Sequence, residues 1–237
     1  MSARARWKEL CMDTTGGPGL GRFWAEVLGL DFHADDESGH LTGPSEGHGI
    51  AMCRVPEAKT VKHRVHIDVK TGSVATLEEL GASVVRPAEE SGLRWTVMAD
   101  PEGGEFCAFV REPHELPDYR FYALCVDAAN AGETARWWAD LFGTEPQADD
   151  DPGVWVVGKV PGMPFETMLF LDVPEPKTVK NRIHWDVYAD VEDMRAAGAT
   201  LLRARDDDPS TGSGERIGWH VMADPEGNEF CVFDDSR

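Results

Sequence analysis

One twelve-residue segment occurs twice in this chain. MADPEGGEFCAF at 98–109 returns as MADPEGNEFCVF at 222–233, with ten of the twelve letters shared. Two further pairs follow the same order: KTVKHRVHIDV (59–69) with KTVKNRIHWDV (177–187), and RFWAEVLGL (22–30) with RWWADLFGT (136–144). The offsets are 124, 118 and 114 residues, so only the loops differ in length. The chain is therefore a tandem duplication, and its fold has to consist of two related halves.

The joint between the halves lies near REPHELPDY (111–119), which is polar and contains two prolines. Such a composition is typical of a short linker. We therefore predict two homologous globular domains, residues 1–115 and 118–237. Each is long enough to bury a hydrophobic core.

The charge balance limits the partners of the chain. It has 43 acidic and 23 basic side chains and a formal net charge of −20, which repels phosphate backbones and anionic lipid headgroups. We expect no nucleic-acid or membrane partner. The sequence contains no apolar run of about eighteen residues and no secretory signal, so we expect a cytoplasmic protein.

The five cysteines do not have the pattern of a disulfide framework. Four of them fall at repeat-related positions, Cys11 with Cys125 and Cys107 with Cys231, and the total is odd. This pattern indicates reduced thiols on equivalent strands.

Helical and strand periodicities alternate along each half. Apolar residues recur at helical spacing over 20–28 and 133–142, and shorter helices are predicted at 74–82 and 191–199, each ending at a glycine. The segments between them alternate with period two, which indicates strands. Asp100-Pro101-Glu102-Gly103 is typical of a type I turn between two strands.

The period of two also assigns side chains to faces of the strands. Val65, Ile67 and Val69 share one face, and the residues between them share the other. We expect the apolar face to meet the helices and the polar face to form a cup. The polar face then carries Arg64, His66, Asp68, Glu105 and Cys107 in the first half and Arg182, His184, Asp186, Glu229 and Cys231 in the second.

Three tryptophans are candidates for the walls of this cup. Trp95, Trp155 and Trp219 lie on predicted strands, where an indole offers a flat apolar surface to a ligand.

The modules and the closing hairpin together resemble the vicinal oxygen chelate superfamily. The segment NRIHWDV followed by GWHVMADPEGNEFCVF is similar to the actinobacterial glyoxalase-like branch, which is related to glyoxalase I, bleomycin-resistance proteins and extradiol dioxygenases. The resemblance implies an α+β fold with two tandem glyoxalase-like domains. In each domain, two βαβββ modules would form a cupped mixed sheet with helices outside.

The resemblance also implies positions for metal ligands. Enzymes of the superfamily hold a divalent metal with His and Glu side chains from the first and last strands of both modules. At these strand positions the second module of each half has its His, as His66 and His184. Cys107 and Cys231 stand where the enzymes have Glu. The two remaining positions are Glu9 and Cys53 in the first half and Ala123 and Leu171 in the second. The candidate ligands are therefore Glu9, His66, Cys107, His184 and Cys231. The first half could assemble a Glu, Cys and His cluster, whose thiolates favour zinc over magnesium, whereas the other half is not expected to build the usual site.

Two functions of different classes follow from these residues. The first is a binding protein that sequesters a small aromatic or cationic molecule, such as an antibiotic, in the cup. Its candidate contacts are Arg64, His66, Asp68, Trp95, Glu105, Trp155, Arg182, His184, Asp186, Trp219 and Glu229. The second is a metal-dependent lyase, isomerase or dioxygenase in which Glu105 or Glu229 moves a proton, with His66 or His184 as alternatives.

The structural alternative for the charged triplets is equally open. Arg64, His66 and Asp68, like their counterparts in the second half, can form a hydrogen-bonded network inside the cup or between the domains. The duplication further indicates that the two domains pack as a pseudo-symmetric pair, so that the chain is either a complete monomer or a subunit of a homodimer.

Overall fold

A computed structural model describes residues 2–16, 18–35, 39–206 and 217–234. Within these ranges the chain forms four successive βαβββ modules, two in each repeat. Module I contains β1 (Ala5–Thr14), α1 (Gly19–Leu28), β2 (Asp31–His33), β3 (His40–Thr42) and β4 (Ile50–Arg54). Module II contains β5 (Val65–Thr71), α2 (Val74–Glu79), β6 (Ser83–Arg86), α3 (Ala88–Ser91), β7 (Thr96–Ala99) and β8 (Glu105–Val110).

The second repeat has the same plan. Module III contains β9 (Phe121–Ala128), α4 (Ala131–Phe142), β10 (Gln147–Ala148), β11 (Val154–Gly158) and β12 (Thr167–Asp172). Module IV contains β13 (Ile183–Ala189), α5 (Val191–Ala196), β14 (Thr200–Arg203), β15 (His220–Ala223) and β16 (Glu229–Phe233). Short 3-10 turns lie at Glu46–His48 and Pro113–Glu115. No described helix is long and apolar enough to cross a membrane.

The predicted glycines end both main helices. Helices α1 and α4 end at Gly29 and Gly143, whose φ values of 74° and 68° lie in the left-handed region that glycine tolerates. The turn after β7 is closed by a hydrogen bond from the Gly103 N–H to the Asp100 carbonyl. The short helix α3 is the element that periodicity did not predict.

The sixteen strands form two mixed sheets of eight strands each, which agrees with the predicted fold class. Sheet A has the order β14-β15-β16-β13-β1-β4-β3-β2, and sheet B has the order β10-β11-β12-β9-β5-β8-β7-β6. At the centre of sheet A, β1 pairs antiparallel with β13. At the centre of sheet B, β5 pairs antiparallel with β9.

This pairing differs from the expectation that each repeat builds its own sheet. Sheet A combines modules I and IV, and sheet B combines modules II and III, so each sheet takes one module from each repeat. The reason is that all four modules present the same kind of edge strand with the same alternation of side chains. Periodicity therefore specifies which face is buried but not which module pairs with which.

Helix packing connects the modules within a repeat. The α1 residue Trp24 is fully buried, contacts Phe106 of module II at a ring-centroid distance of 5.2 Å and donates its indole N–H to Asp100 at 3.3 Å. In the second repeat, Trp138 of α4 contacts Phe230 of module IV at 4.9 Å and donates to an aspartate carboxylate at 3.1 Å. Strand pairing thus crosses between the repeats, while these buried tryptophans of the helices join the two modules of one repeat. The helix ends also contact the other repeat, since the Arg4 N–H donates to the Leu141 carbonyl and the Arg120 N–H to the Leu28 carbonyl.

A single repeat therefore lacks the strand partners of both its modules. We predict that residues 1–115 and 118–237, expressed separately, do not form cooperatively folding monomers, because β1, β5, β9 and β13 would each have an unpaired edge. Co-expression of the two halves should give a one-to-one complex with the circular dichroism spectrum of the whole chain. A separate half that unfolds cooperatively as a monomer in urea would contradict this prediction.

Candidate functional site

A histidine, an aspartate and a cysteine meet on the polar face of each sheet. In sheet B, His66 Nε2 lies 3.5 Å from Cys107 Sγ and 3.4 Å from Asp68 Oδ1. In sheet A, the equivalent distances from His184 Nε2 are 3.3 Å to Cys231 and 3.6 Å to Asp186. In each group, the three donor atoms lie within 4.8 Å of one another. We call these groups cluster B and cluster A.

The strand alternation brings each cluster together, as the sequence predicted. His66 and Asp68 are two residues apart on β5 and share a face, and Asp68 is the register partner of Cys107 on the parallel strand β8. In sheet A, Asp186 and Cys231 are partners in the same way. The apolar residues between them, such as Ile67, are buried on the opposite face.

Burial keeps cluster A in its uncharged form. Desolvation lowers the pKa of His184 to about 3 and raises the pKa of Asp186 to about 8. Desolvation followed by the nearby Asp186 also raises the pKa of the Cys231 thiol, and cluster B has the same effects at Cys107. The contact between His184 and Asp186 is therefore one between a neutral imidazole and a protonated carboxyl group near neutral pH, and not an ion pair.

Several cluster atoms are buried without a hydrogen-bond partner among the described residues. They are Asp68 Oδ1, Asp186 Oδ1 and His184 Nδ1. Buried polar atoms usually have partners because an unpaired atom costs about 1–3 kcal/mol. The arrangement is therefore suited to a polar or metallic ligand that would complete it.

The sheet pairing corrects one expectation about metal ligands. Glu9 lies in sheet A, opposite Asp186, so it is in a different sheet from His66 and Cys107 and belongs to neither cluster. The cause is the exchange of modules between the repeats. The second half also forms a group of possible ligands, cluster A, but its His, Asp and Cys side chains are not the usual His and Glu set, and all of them come from module IV.

Registers show which side chains stand opposite the histidines. Cys11 is the partner of His184 on the central strands of sheet A, and Cys125 is the partner of His66 in sheet B. The two sheets differ at a neighbouring position. Cys53 on β4 is the register partner of Asp13 in sheet A, and the equivalent partner of Asp127 in sheet B is Leu171 on β12.

The two candidate proton carriers are already engaged in anchoring loops. Glu105 accepts hydrogen bonds from Lys59 Nζ at 2.8 Å and from the His63 backbone N–H at 3.0 Å. Burial raises the pKa of Glu105, but these hydrogen bonds outweigh it and hold the pKa below its usual value. Glu229 accepts equivalent bonds from Lys177 and the Asn181 N–H. Both carboxylates hold the loop that precedes a central strand.

The two candidate arginines connect the repeats. Arg64 donates to the carbonyl oxygens of Glu175 at 2.7 Å and Asp127 at 3.0 Å. Arg182 donates to the Glu57 carbonyl at 2.6 Å. Each guanidinium therefore binds backbone of the other repeat, as the structural alternative expected for these residues.

A group of aromatic rings and basic side chains lies beside each cluster on the polar face of its sheet, and we call this group the mouth of the cup. In cup B, Trp95 packs on Phe109 at 5.3 Å with 30° between the planes, and in cup A, Trp219 stacks on Phe233 at 5.5 Å and 23°. A tyrosine and a lysine complete each mouth: Tyr122 and Lys70 in cup B, and Tyr188 and Lys8 in cup A. All of these side chains are half-buried.

The sequence pointed to the tryptophans of the mouth but missed their neighbours. Phe109 and Phe233 lie two residues beyond the cluster cysteines, and Lys70 and Tyr188 two residues beyond the cluster aspartates. The same alternation, extended by one step, would have found them.

Trp155 does not face a cup, so that expectation is wrong. It is the register partner of the buried Phe170, and its ring lies against α4, where a Cβ at Gly132 would be 3.0 Å from the indole. The Arg136 guanidinium covers the ring at 4.4 Å. The strand alternates as predicted, but the face that carries this indole is the helix side of β11 and not the cup side.

Two cavities open elsewhere on the described surface. The larger, about 530 Å³, lies at the end of β1 and β13 beside the mouth of cup A, where Arg6 and Tyr188 contribute to its lining. The smaller, about 150 Å³, lies between α1 and α2, beside Leu77 and Arg120.

Comparisons with known proteins agree with this geometry. The family model of the glyoxalase-like domain matches residues 9–109 and 123–233. Glyoxalase I from Zea mays is similar in structure, with a TM-score of 0.65, 13% identity, and coverage of 97% of this chain and 92% of that one. A putative dioxygenase from Bacillus subtilis subsp. subtilis str. 168 has a TM-score of 0.64 and 15% identity over 100% and 87% of the two chains. No curated protein sequence matches the chain.

A buried histidine next to cluster B makes stability sensitive to acid. His63 has no hydrogen-bond partner at either ring nitrogen among the described residues, and Gly104 leaves room for it, since a Cβ there would lie 2.7 Å from the ring. The second repeat has Asn181 and Asn228 at these positions, hydrogen-bonded at 3.1 Å. Burial lowers the pKa of His63 to about 4.

We predict that His63→Asn reduces the loss of stability in acid. Between about pH 6.5 and the folded-state pKa of about 4, the unfolded chain binds a proton at His63 that the folded chain does not, so stability is lost as the pH falls. The variant should avoid a loss of about 2 kcal/mol at about pH 4.5. Urea unfolding at neutral and acid pH measures the difference, with His114→Asn, at an exposed position, as the control. Equal pH dependence of variant and parent would contradict the assignment.

Proposed function

Because the chain belongs to the glyoxalase-like domain family, we propose that it binds a small aromatic molecule at the mouths of its two cups. The observation that carries this proposal is the repetition of one arrangement, a half-buried indole packed on a phenyl ring two residues beyond the cluster cysteine, in both sheets. Core aromatic residues such as Trp138 are fully buried, whereas the mouth rings keep part of their surface exposed. Flat apolar walls with a few polar groups are typical of ligand sites.

The occupied ring faces at the mouths disfavour a cationic aromatic molecule. In cup A, the Lys8 ammonium lies 4.4 Å from the Phe233 ring centroid, and Arg6 lies 3.9 Å from that of Tyr188. In cup B, Lys70 lies 4.8 Å from the Tyr122 centroid. The chain's own cations therefore already occupy faces of the aromatic rings, where a cationic ligand would bind.

A metal-assisted enzyme is the second candidate function, and the polar clusters favour it. The nitrogen, oxygen and sulfur donors of cluster A suit zinc, and two of these residues have buried atoms without partners among the described residues, His184 Nδ1 and Asp186 Oδ1. The residues present therefore fit a divalent ion, held by His184, Asp186 and Cys231 or by their counterparts in cluster B. Such an ion would polarise an oxygen of the substrate.

Proton transfer in such an enzyme needs a side chain that is not itself a ligand of the ion. Burial raises the pKa of Asp186 to about 8 in the metal-free chain, but as a ligand Asp186 would bind the ion as a carboxylate and would have no proton to give. Glu105 and Glu229 lie outside the clusters, and both carboxylates already accept hydrogen bonds from a lysine and a backbone N–H, which makes them less available as proton carriers. The mouth above would orient an aromatic substrate in either function.

We predict that removal of the mouth tryptophans weakens aromatic binding one cup at a time. The probe 8-anilinonaphthalene-1-sulfonate, an acidic aromatic, should bind at two sites, and Trp95→Ala and Trp219→Ala should each weaken one of them about 5-fold to 30-fold, because about 1–2 kcal/mol of ring contact is lost. Fluorescence titration measures both sites. Bleomycin serves as the cationic comparison and should bind more weakly.

The control for this experiment is Trp155→Phe, which alters an indole on the helix side of sheet B. Its two sites should keep the affinity of the parent chain. If the double variant Trp95→Ala/Trp219→Ala binds the probe as tightly as the parent, the mouths are not the site.

We predict, for the second function, that the chain binds two Zn²⁺ ions with release of protons, because the cluster thiols are protonated before binding. Cys107→Ser and Cys231→Ser should each remove one ion, and the double variant both. Isothermal titration in buffers of different ionisation enthalpy measures stoichiometry and protons, with Glu105→Gln as the control. Unchanged stoichiometry in the double variant would contradict the assignment of the clusters.

A further inference from the structure

Two cysteines of cup A lie beside cluster A and contact each other. The Sγ atoms of Cys11 and Cys53 are 2.8 Å apart, and both cysteines are free. They lie on the neighbouring parallel strands β1 and β4, where Asp13 is the register partner of Cys53. Cys11 is two residues before Asp13, so both side chains point to the polar face.

The separation of the sulfurs is close to that of a covalent bond. A disulfide has an S–S distance of about 2.04 Å, so the two sulfurs have to approach by about 0.8 Å. The strands are already hydrogen-bonded neighbours, and the closure joins two positions within one sheet.

The surroundings of the pair give its two sulfurs different access. Cys11 is 4% exposed, whereas Cys53 is half-buried. The Lys180 ammonium, bound to Asp13 at 2.6 Å, interacts electrostatically with both sulfurs. A small oxidant can therefore reach Cys53, whereas Cys11 is shielded from it.

Sheet B provides an internal comparison. Cys125 is the counterpart of Cys11, but the position of Cys53 is taken by Leu171, the register partner of Asp127. Among the described residues, the paired thiols thus occur in cup A alone, and the two cups are not chemically equivalent.

We propose that Cys11 and Cys53 form a redox-active dithiol that a hydroperoxide oxidises to an intramolecular disulfide. Cys53 first releases its proton, and the resulting thiolate attacks one oxygen of the peroxide. The O–O bond breaks, Cys53 becomes a sulfenic acid, and the departing hydroxide combines with the released proton to leave as water. Cys11 Sγ then attacks Cys53 Sγ, the S–O bond breaks, and hydroxide leaves with the Cys11 proton as a second water. The two thiols lose two electrons, and the peroxide gains them.

This inference goes beyond the proposed function, since it depends on neither a bound aromatic molecule nor a metal. The reaction changes the floor of one cup and leaves the other unchanged. Oxidation state would thus distinguish the two cups of a single chain.

The test is oxidation of the reduced full-length protein with one equivalent of hydrogen peroxide, followed by thiol titration under denaturing conditions and peptide mapping. The mass should fall by about 2 Da, the loss of two hydrogens. Titratable thiols should fall by two from the five present. The linked peptides should contain Cys11 and Cys53, and dithiothreitol should restore all five thiols.

Single-cysteine variants report the order of the two steps. With Cys11→Ser, a sulfenic acid should accumulate at Cys53 and be trapped by dimedone. With Cys53→Ser, Cys11 should remain a thiol under the same treatment, because it is buried.

The two sheets supply matched variants. Cys53→Leu copies sheet B, and its four thiols should all remain titratable after oxidation. Leu171→Cys copies sheet A, and it should form a second disulfide, between Cys125 and the introduced cysteine. Circular dichroism shows whether each variant is folded. Retention of all five thiols by the oxidised parent, or a disulfide that joins any other two cysteines, would overturn the proposal.

Discussion

The antiparallel pairing of β1 with β13 and of β5 with β9 is the interaction on which the rest of the structure depends. It joins the first repeat to the second twice and places Cys11 opposite His184 and His66 opposite Cys125. The buried tryptophans of α1 and α4 join the two modules within each repeat, so the two kinds of contact interlock the halves. Neither polar cup would keep both of its central strands if the repeats separated.

The polar faces of the sheets hold buried ionisable side chains in their uncharged forms. Desolvation favours the uncharged form of every group in cluster A, so the imidazole is neutral and the carboxyl group of Asp186 is protonated near neutral pH. This avoids the larger cost of burying unpaired charges, but it leaves hydrogen-bonding atoms without partners among the described residues. A ligand that binds there would give these buried atoms hydrogen-bond or metal partners and so remove that cost.

Small differences between the repeats give the two cups different chemistry on one scaffold. A thiol pair in cup A corresponds to a cysteine and a leucine in cup B, and a buried imidazole at His63 corresponds to an amide at Asn181. At the mouths, lysine and tyrosine exchange places, with Lys8 and Tyr188 matching Tyr122 and Lys70. These substitutions keep the backbone plan and change only the side chains that meet the cup.

The sequence by itself determined the four modules, the turn at Asp100 and which residues of a strand share a face, because these depend on periods of two and 3.6 residues within short segments. It did not determine which modules share a sheet, and for that reason the predicted role of Glu9 was wrong. Contacts distant in sequence decided the other two roles: Lys59 engages Glu105, and α4 covers Trp155. Only the tertiary structure decided these three positions. Strand edges with the same alternation compete equally for partners, and the packing of the whole chain selects between them.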